Sequence, residues 1–186
     1  MDQQSKLTDF RKKYMEDRRV VCTGNPSNPY SIAYGIKTYF PNATFWSKSN
    51  GWDLTDSAND NRILEEFKKY NTFINASYIA PGIQSKLLDL CNQAVKFCDV
   101  VNIGSTNEYD EQGSLEYMNS KIELRTKSLQ LNTFRFSTTH VLMGKIKKFD
   151  DDTGFSSDQI GNIILWILSQ DYKIPMIALD RGKQAW

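Results

Sequence analysis

Short β-rich runs alternate with amphipathic helical stretches along nearly the whole chain, and this alternation limits the possible folds more than any other feature. Residues 19–23, 43–47, 71–74, 100–103, 132–137 and 174–180 read as strands. Between them, residues 31–40, the run from Thr55 or Asp56 to Tyr70, and residues 82–97, 114–130 and 156–169 carry apolar side chains at helical spacing. Parallel strands need a crossover between them, and a helix supplies it. The expected fold class is therefore α/β, a doubly wound parallel sheet of about seven strands with helices on both faces.

Composition narrows the function classes. The chain of 186 residues is 40% hydrophobic and 24% charged, with a formal net charge of +1. Near-zero charge gives no electrostatic basis for a nucleic-acid or membrane partner. No apolar run approaches the ~20 residues of a membrane span, and the polar N-terminus does not read as a signal peptide. Three cysteines, Cys22, Cys91 and Cys98, are an odd number without metal-ligand spacing. They imply a reducing, cytoplasmic setting, and no metal site is expected. The single His140 is expected at the surface or in a structural role. Residues 1–18, with Leu7, Phe10 and Tyr14 at helical spacing, read as a helical extension, and residues 19–186 as one domain.

The first strand ends at Gly24, and a loop leads to the helix that opens at Ser31. Strand, loop and helix in this order suit a dinucleotide, whose pyrophosphate sits at the helix N-terminus. The loop lacks the glycine fingerprint, because Asn28 and Tyr30 hold the second and third glycine positions counted from Gly24. The second strand ends in Ser47-Lys48-Ser49-Asn50 without a carboxylate. An acidic residue there would hold ribose hydroxyls, whereas a basic one tolerates a 2′-phosphate, so NADP is expected rather than NAD. The other reading of Lys48 is a solvated turn residue. Gly51 to Asp56 follows so closely that the usual helix between second and third strands is missing.

Chemistry gathers around Asn102-Ile103-Gly104-Ser105 and Tyr117-Met118-Asn119-Ser120-Lys121. Positions 117 and 121 share a helix face one turn apart. The Lys charge favours the phenolate form of the Tyr, and a Ser hydroxyl at the preceding strand end can hold a substrate oxygen. Tyr-x-x-x-Lys alone arises by chance in a chain this rich in both residues. Its other reading is a packed Tyr with a solvated Lys.

Taken together, these segments resemble the short-chain dehydrogenase/reductase family over residues 19–182. The resemblance implies a Rossmann-type fold with Tyr117 as general acid/base. It makes Lys121 the ligand of the nicotinamide ribose and Ser105 the group that positions the carbonyl. Ser31-Ile32-Ala33-Tyr34-Gly35-Ile36 is similar to the divergent loop of bacterial enoyl-acyl-carrier reductases, where Ser31 and Ile32 would meet the phosphates. Asp53-Leu54 resembles the family segment at the adenine amino group. Thr55 or Asp56 beside it also reads as a helix cap. Asn75-Ala76-Ser77 is similar to the family's Asn-Ala-Gly beside the adenosine ribose. Asp180-Arg181-Gly182 resembles its closing Asp-Gly-Gly.

Departures accompany the resemblance. The Asn that completes the family's proton relay is missing, and Gln84 is nearest. Ser137-Thr138-Thr139 stands where Pro-Gly is common, and residues 138–155 read as a short charged connection implying a small or open pocket. Enoyl reductases place Tyr and Lys seven apart, and seven before Lys121 is Ser114. A carbonyl or alcohol substrate fits better, with hydride passing to or from the nicotinamide. The alternatives are a non-catalytic NADP-binding regulatory protein and a sugar-nucleotide reductase. Leu115, Met118, Ile122 and Leu129 leave apolar helix surface, so a homodimer or homotetramer is expected.

Overall fold

The computed structural model describes residues 17–110, 114–146, 154–170 and 172–179. The expected helix in residues 1–18, apart from its last two residues, and the Asp180-Arg181-Gly182 segment lie outside these. Six strands form one parallel sheet: β1 (Val20–Thr23), β2 (Thr44–Trp46), β3 (Thr72–Asn75), β4 (Cys98–Ile103), β5 (Phe136–Met143) and β6 (Met176–Leu179), in the order β2-β1-β3-β4-β5-β6. The crossovers are α1 (Ile32–Tyr39), α2 (Asp60–Phe67), α3 (Ile83–Ala94), the short α4 (Asn107–Asp110) with α5 (Leu115–Leu131), and α6 (Ser157–Leu168). Strand order reverses between β1 and β3, both of which pair in parallel with each other and outward. A ligand crevice is expected outside the carboxyl ends of the strands at such a switch point.

Alternation along the strands explains the two cores. Val20, Cys22, Ile74, Val101 and Ile103 point to the face covered by α1 and α6, against Ile32, Ile36, Ile160 and Ile164. Val21, Phe73 and Val100 point to the opposite face, against Ile63 and Phe67 of α2, Leu87 and Leu88 of α3, and Leu124 of α5. Helices α1 and α6 cross at near contact. A Cβ on Gly35 would run into the Ser157 carbonyl, so only glycine lets the two backbones meet.

Two expectations are corrected. The stretch after β2 adds no strand among the described residues. It folds back so that Trp52 stacks on the buried Trp46, with ring centroids 4.8 Å apart. Arg62 of α2 lies over Trp52 at 3.8 Å. Stacking the partly buried Trp52 on the buried Trp46 beside the edge strand takes the place of further backbone pairing. The strand expected at 132–137 instead runs from Phe136 to Met143, so residues 138–143 are sheet interior and not a connection. Ser-Thr-Thr-His misleads because it is polar. Its polar groups are met from neighbouring elements: the Thr138 hydroxyl donates to the Ser128 carbonyl, and the Thr138 N–H donates to Asn132 Oδ1. Satisfied polar groups can be buried at little cost. The connection after β5 is correspondingly shorter, and residues 147–153 within it lie outside the described residues.

Candidate active site

Every candidate catalytic or cofactor-binding residue lies at the carboxyl ends of β1 to β4 or on the segments that follow them. At β1, the Gly24 N–H donates to the Trp46 carbonyl at 2.9 Å. The loop beyond it keeps its shape without the glycines, through two Asx turns: Ser27 N–H donates to Asn25 Oδ1 at 2.9 Å, and Tyr30 N–H to Asn28 Oδ1 at 3.0 Å. Ser31 is the N-cap of α1. Its Oγ accepts from Tyr34 N–H at 3.1 Å and faces the Asn25 and Asn28 carbonyls at 2.8 Å. The hydroxyl expected at a phosphate is thus engaged by its own loop. Ile32 opens the helix with its side chain buried, and the first N–H groups of the helix have no partner within it. On the far side, Ser157 Oγ of α6 donates to the Pro29 carbonyl at 2.6 Å and ties the loop down.

Lys48 and Asp53, assigned separately from the sequence, meet each other. Lys48 Nζ lies 2.9 Å from Asp53 Oδ2, and Asp53 Oδ1 accepts from the Thr55 hydroxyl and N–H. The Thr55 and Lys48 hydrogen bonds hold the Asp53 carboxyl down at about 2. Ser47 closes a capping box with Asn50, and Leu54 is buried. At β3, Thr23 Oγ1 accepts from the N–H groups of Ala76 and Ser77 at 2.9 and 3.0 Å, and Ser77 Oγ donates to the Thr23 carbonyl. The end of β3 is thereby fastened to the end of β1, with Asn75 buried beneath it.

Lys121 is a buried cation among the candidate residues. Its ammonium donates to Gln84 Oε1 at 2.6 Å and to the Ile103 carbonyl at 2.8 Å. Behind it runs a chain of buried amides. Gln84 Nε2 donates to the Asn75 carbonyl, Asn75 Nδ2 to Asn102 Oδ1, and Asn102 Nδ2 to Ser128 Oγ. Burial disfavours the charged amine and lowers Lys121 to about 8, with the Glu108 charge opposing that fall. The Tyr117 and Tyr78 rings lie 5.5 and 5.6 Å from the ammonium and meet edge to face, with centroids 4.7 Å apart. Burial and the nearby Glu116 push the Tyr78 phenol up. Tyr117 and Lys121 therefore converge as their spacing implies. Ser105 sits two residues beyond the Ile103 carbonyl, and its Oγ accepts from Asn107 N–H at 3.2 Å. No hydrogen bond joins Ser105, Tyr117 and Lys121 directly.

Glu108 escaped the sequence reading, and His140, expected at the surface or in a structural role, was given no place near the site. Both are buried at the end of β4, where Glu108 Oε1 lies 3.1 Å from Ser105 N and 3.1 Å from His140 Nε2. His140 is thus an interior residue of β5 and not a surface one. Ser105-x-x-Glu108 has capping-box spacing, and that signal could have located the acid. The three residue types suggest a hydrolytic triad, but the geometry excludes it: His140 Nε2 faces the acid, and Nδ1 has no hydrogen-bond partner.

The comparisons that match are structural. No protein-family model and no curated protein matches the chain. Among solved structures, a short-chain dehydrogenase/reductase described as glucose/ribitol dehydrogenase from Brucella melitensis superposes with a TM-score of 0.67 at 13% identity, covering 89% of this chain and 96% of that one. A gluconate 5-dehydrogenase from Burkholderia cenocepacia, in complex with NADP and tartrate, gives 0.67 at 13% over 89% and 94%. FolM alternative dihydrofolate reductase 1 from Brucella suis, in complex with NADP, gives 0.69 at 13% over 92% and 97%. The chain has the short-chain dehydrogenase/reductase fold. The loop between β1 and α1, the end of β3 and the Tyr117–Lys121 face of α5 all follow the carboxyl ends of neighbouring strands.

Proposed function

We propose that this protein is an NADP-dependent oxidoreductase of the short-chain dehydrogenase/reductase family that interconverts a carbonyl and an alcohol. The observation that carries the reading is the Lys121 ammonium, buried beside the Tyr117 ring and held by Gln84 and the Ile103 carbonyl. A surface Lys one turn from a packed Tyr would instead be solvated.

The residues present fit a dinucleotide. The α1 N-terminus offers unpaired N–H groups to a pyrophosphate. Gly24, Ser31 and Ile32 would line it, Asn75 and Ala76 the adenosine ribose, and Asp53 and Leu54 the adenine. Ser47 and the largely exposed Lys48 ammonium would meet a 2′-phosphate. The bound nicotinamide would supply or take up a hydride. Tyr117 gives its phenolic proton to the developing alkoxide, or takes it from an alcohol, and Lys121 stabilises the phenolate and contacts the nicotinamide ribose. Ser105 holds the reacting oxygen, and Gln84 takes the relay position next to Lys121. The domain spans residues 19–186 and acts as a homodimer or homotetramer. Three free cysteines among the described residues support a cytoplasmic setting.

The second reading is a binder that senses NADP without turnover. The closure of the phosphate loop on its own Asn residues and the packing of Tyr78 on Tyr117 favour it.

Tyr117→Phe separates the two. NADPH affinity, followed by intrinsic Trp fluorescence, should stay near wild type. Turnover across a panel of small ketones, aldehydes and quinones should fall at least ~100-fold. Normal turnover by the variant would remove Tyr117 from the mechanism. NADPH binding with no substrate anywhere in the panel would favour the sensor.

A further inference from the structure

The acid behind Ser105 has no part in the reaction as proposed, yet the fold makes room for it at some expense. The Glu108 side chain is fully buried, and so is His140. Glu108 Oε1 accepts from Ser105 N–H and, because a carboxylate only accepts, from the His140 Nε2–H tautomer. Oε2 faces the Arg125 guanidinium of α5 at 3.5 Å, and Arg125 also donates to the Tyr109 hydroxyl. Gly104 makes the arrangement possible. A Cβ there would fall 2.6 Å from Glu108 Oε1 and closer still to the imidazole. Burying a carboxylate without cations and donors around it is costly. This one has two donors, a partly exposed guanidinium, and the field of a second buried cation on the same helix, Lys121.

We propose that Glu108, seated by His140 and Gly104, is a positioning residue for the candidate active site, pinning the Ser105 turn and acting as the buried counter-charge of Lys121. The assignment rests on the oxidoreductase reading, in which Lys121 works as a cation beside Tyr117. Lys121 faces Tyr117 on its own helix, Tyr78 from the loop after β3 and Gln84 from α3, and it donates to the Ile103 carbonyl two residues before the Ser105 N–H that holds Glu108 of α4. Glu108 is the one anion in that set. Burial pulls the ammonium down to about 8, and Glu108 is what opposes further loss. His140 and Arg125 keep the carboxylate turned inward, so charge and turn geometry are supplied by one side chain.

The test needs no substrate. In protein carrying ¹³C-labelled lysine, the Lys121 Cε signal, assigned by its absence from Lys121→Met, is followed by NMR from pH 6 to 11. Glu108→Gln keeps an acceptor for Ser105 N–H and removes only the charge. Its Lys121 midpoint should fall by about half a unit or more, the scale of one nearby opposite charge. Glu108→Asp, which keeps the charge, should restore most of that shift. An unchanged midpoint in Glu108→Gln overturns the proposal. If Glu108→Gln fails to fold by thermal melting, Glu108→Asp decides, because it draws the charge back by one methylene: a Lys121 midpoint below the wild-type value sustains the counter-charge, and an unchanged one overturns it. NADPH titration of the wild type runs in parallel. Failure to bind sinks the oxidoreductase reading, while the Lys121 midpoint still decides the charge pair.

Discussion

Gln84 Oε1 accepts a 2.6 Å hydrogen bond from the buried ammonium of Lys121. The same side chain, through Nε2, holds the carbonyls of Asn75 and Ile103, the ends of two adjacent strands. One amide therefore satisfies a buried cation and clamps the sheet on both sides of it. Gln84→Leu, close in volume but without hydrogen-bonding groups, should destabilise the fold by about 2–3 kcal/mol, the scale of a charged group losing its partner. Urea unfolding monitored by Trp fluorescence measures it. A loss under about 0.5 kcal/mol would show that the ammonium finds an equivalent acceptor elsewhere.

The burial of Lys121 predicts an unusual pH dependence. Its folded value of about 8 lies below the ordinary 10.5. Between those limits the unfolded chain holds the proton that the folded chain has released, so stability rises with pH. Below about pH 8 the full cost of the buried charge is present, and it is relieved as pH climbs to about 10.5. The gain is roughly 3 kcal/mol before other groups are counted. Comparing wild type with Lys121→Met at pH 7 and pH 10 isolates it. The wild type should gain on the variant at the higher pH, and a constant difference would contradict the depressed value.

In the proposed function, cofactor discrimination depends on Lys48. Its ammonium pairs with Asp53 at 2.9 Å yet remains mostly in solvent. If it meets a 2′-phosphate, Lys48→Ala should weaken NADPH binding about tenfold and leave NADH binding nearly unchanged, since one charge-assisted contact is lost. Equal loss for both nucleotides would place Lys48 elsewhere on the cofactor. Wild-type protein that binds NADH more tightly than NADPH would remove the 2′-phosphate assignment altogether.

Self-association is expected through α5. Leu115 and Leu129 are 70% and 45% exposed, on the same side of the helix as the half-buried Met118 and Ile122. Exposed apolar rows of this kind gain by pairing. Light scattering at micromolar concentration should give a dimer or tetramer mass, and Leu115→Lys with Leu129→Lys should reduce it to the monomer. A monomeric wild type would refute the interface.

What the sequence disclosed and what it concealed follow from one physical difference. Periodicity reports which side chains face a core, so the α1, α2, α3, α5 and α6 helices, and five of the strands, could be read from apolar spacing. It is silent on polar residues whose partners lie far along the chain. Thr138 and His140 looked like a loop because their partners, Ser128 and Glu108, are invisible to a local window. Glu108 drew no reading at all for the same reason. Lys48 and Asp53 could each be singled out, but their ion pair could not, because the turn between them had been read as the approach to another strand. Tyr117 and Lys121 were readable as a pair because helical geometry alone sets their distance. The burial of Lys121 depends on α3, and spacing within α5 carries no trace of it.

The hydrogen bond from Ser157 to the Pro29 carbonyl also sets an order of events during folding. The two residues are separated by 128 positions, and the crossing at Gly35 requires the same late helix. Strand β1 and helix α1 are made first on the ribosome, yet the loop between them gains its outer anchor only after α6 emerges. Contacts at such separation form slowly, because a long chain must close before they reward it. A nascent chain ending before residue 157 would therefore carry the whole β1–α1 segment with its phosphate loop unsecured. Under the proposed function, a nucleotide would act as a late ligand in folding, stabilising the protein only once α6 has docked.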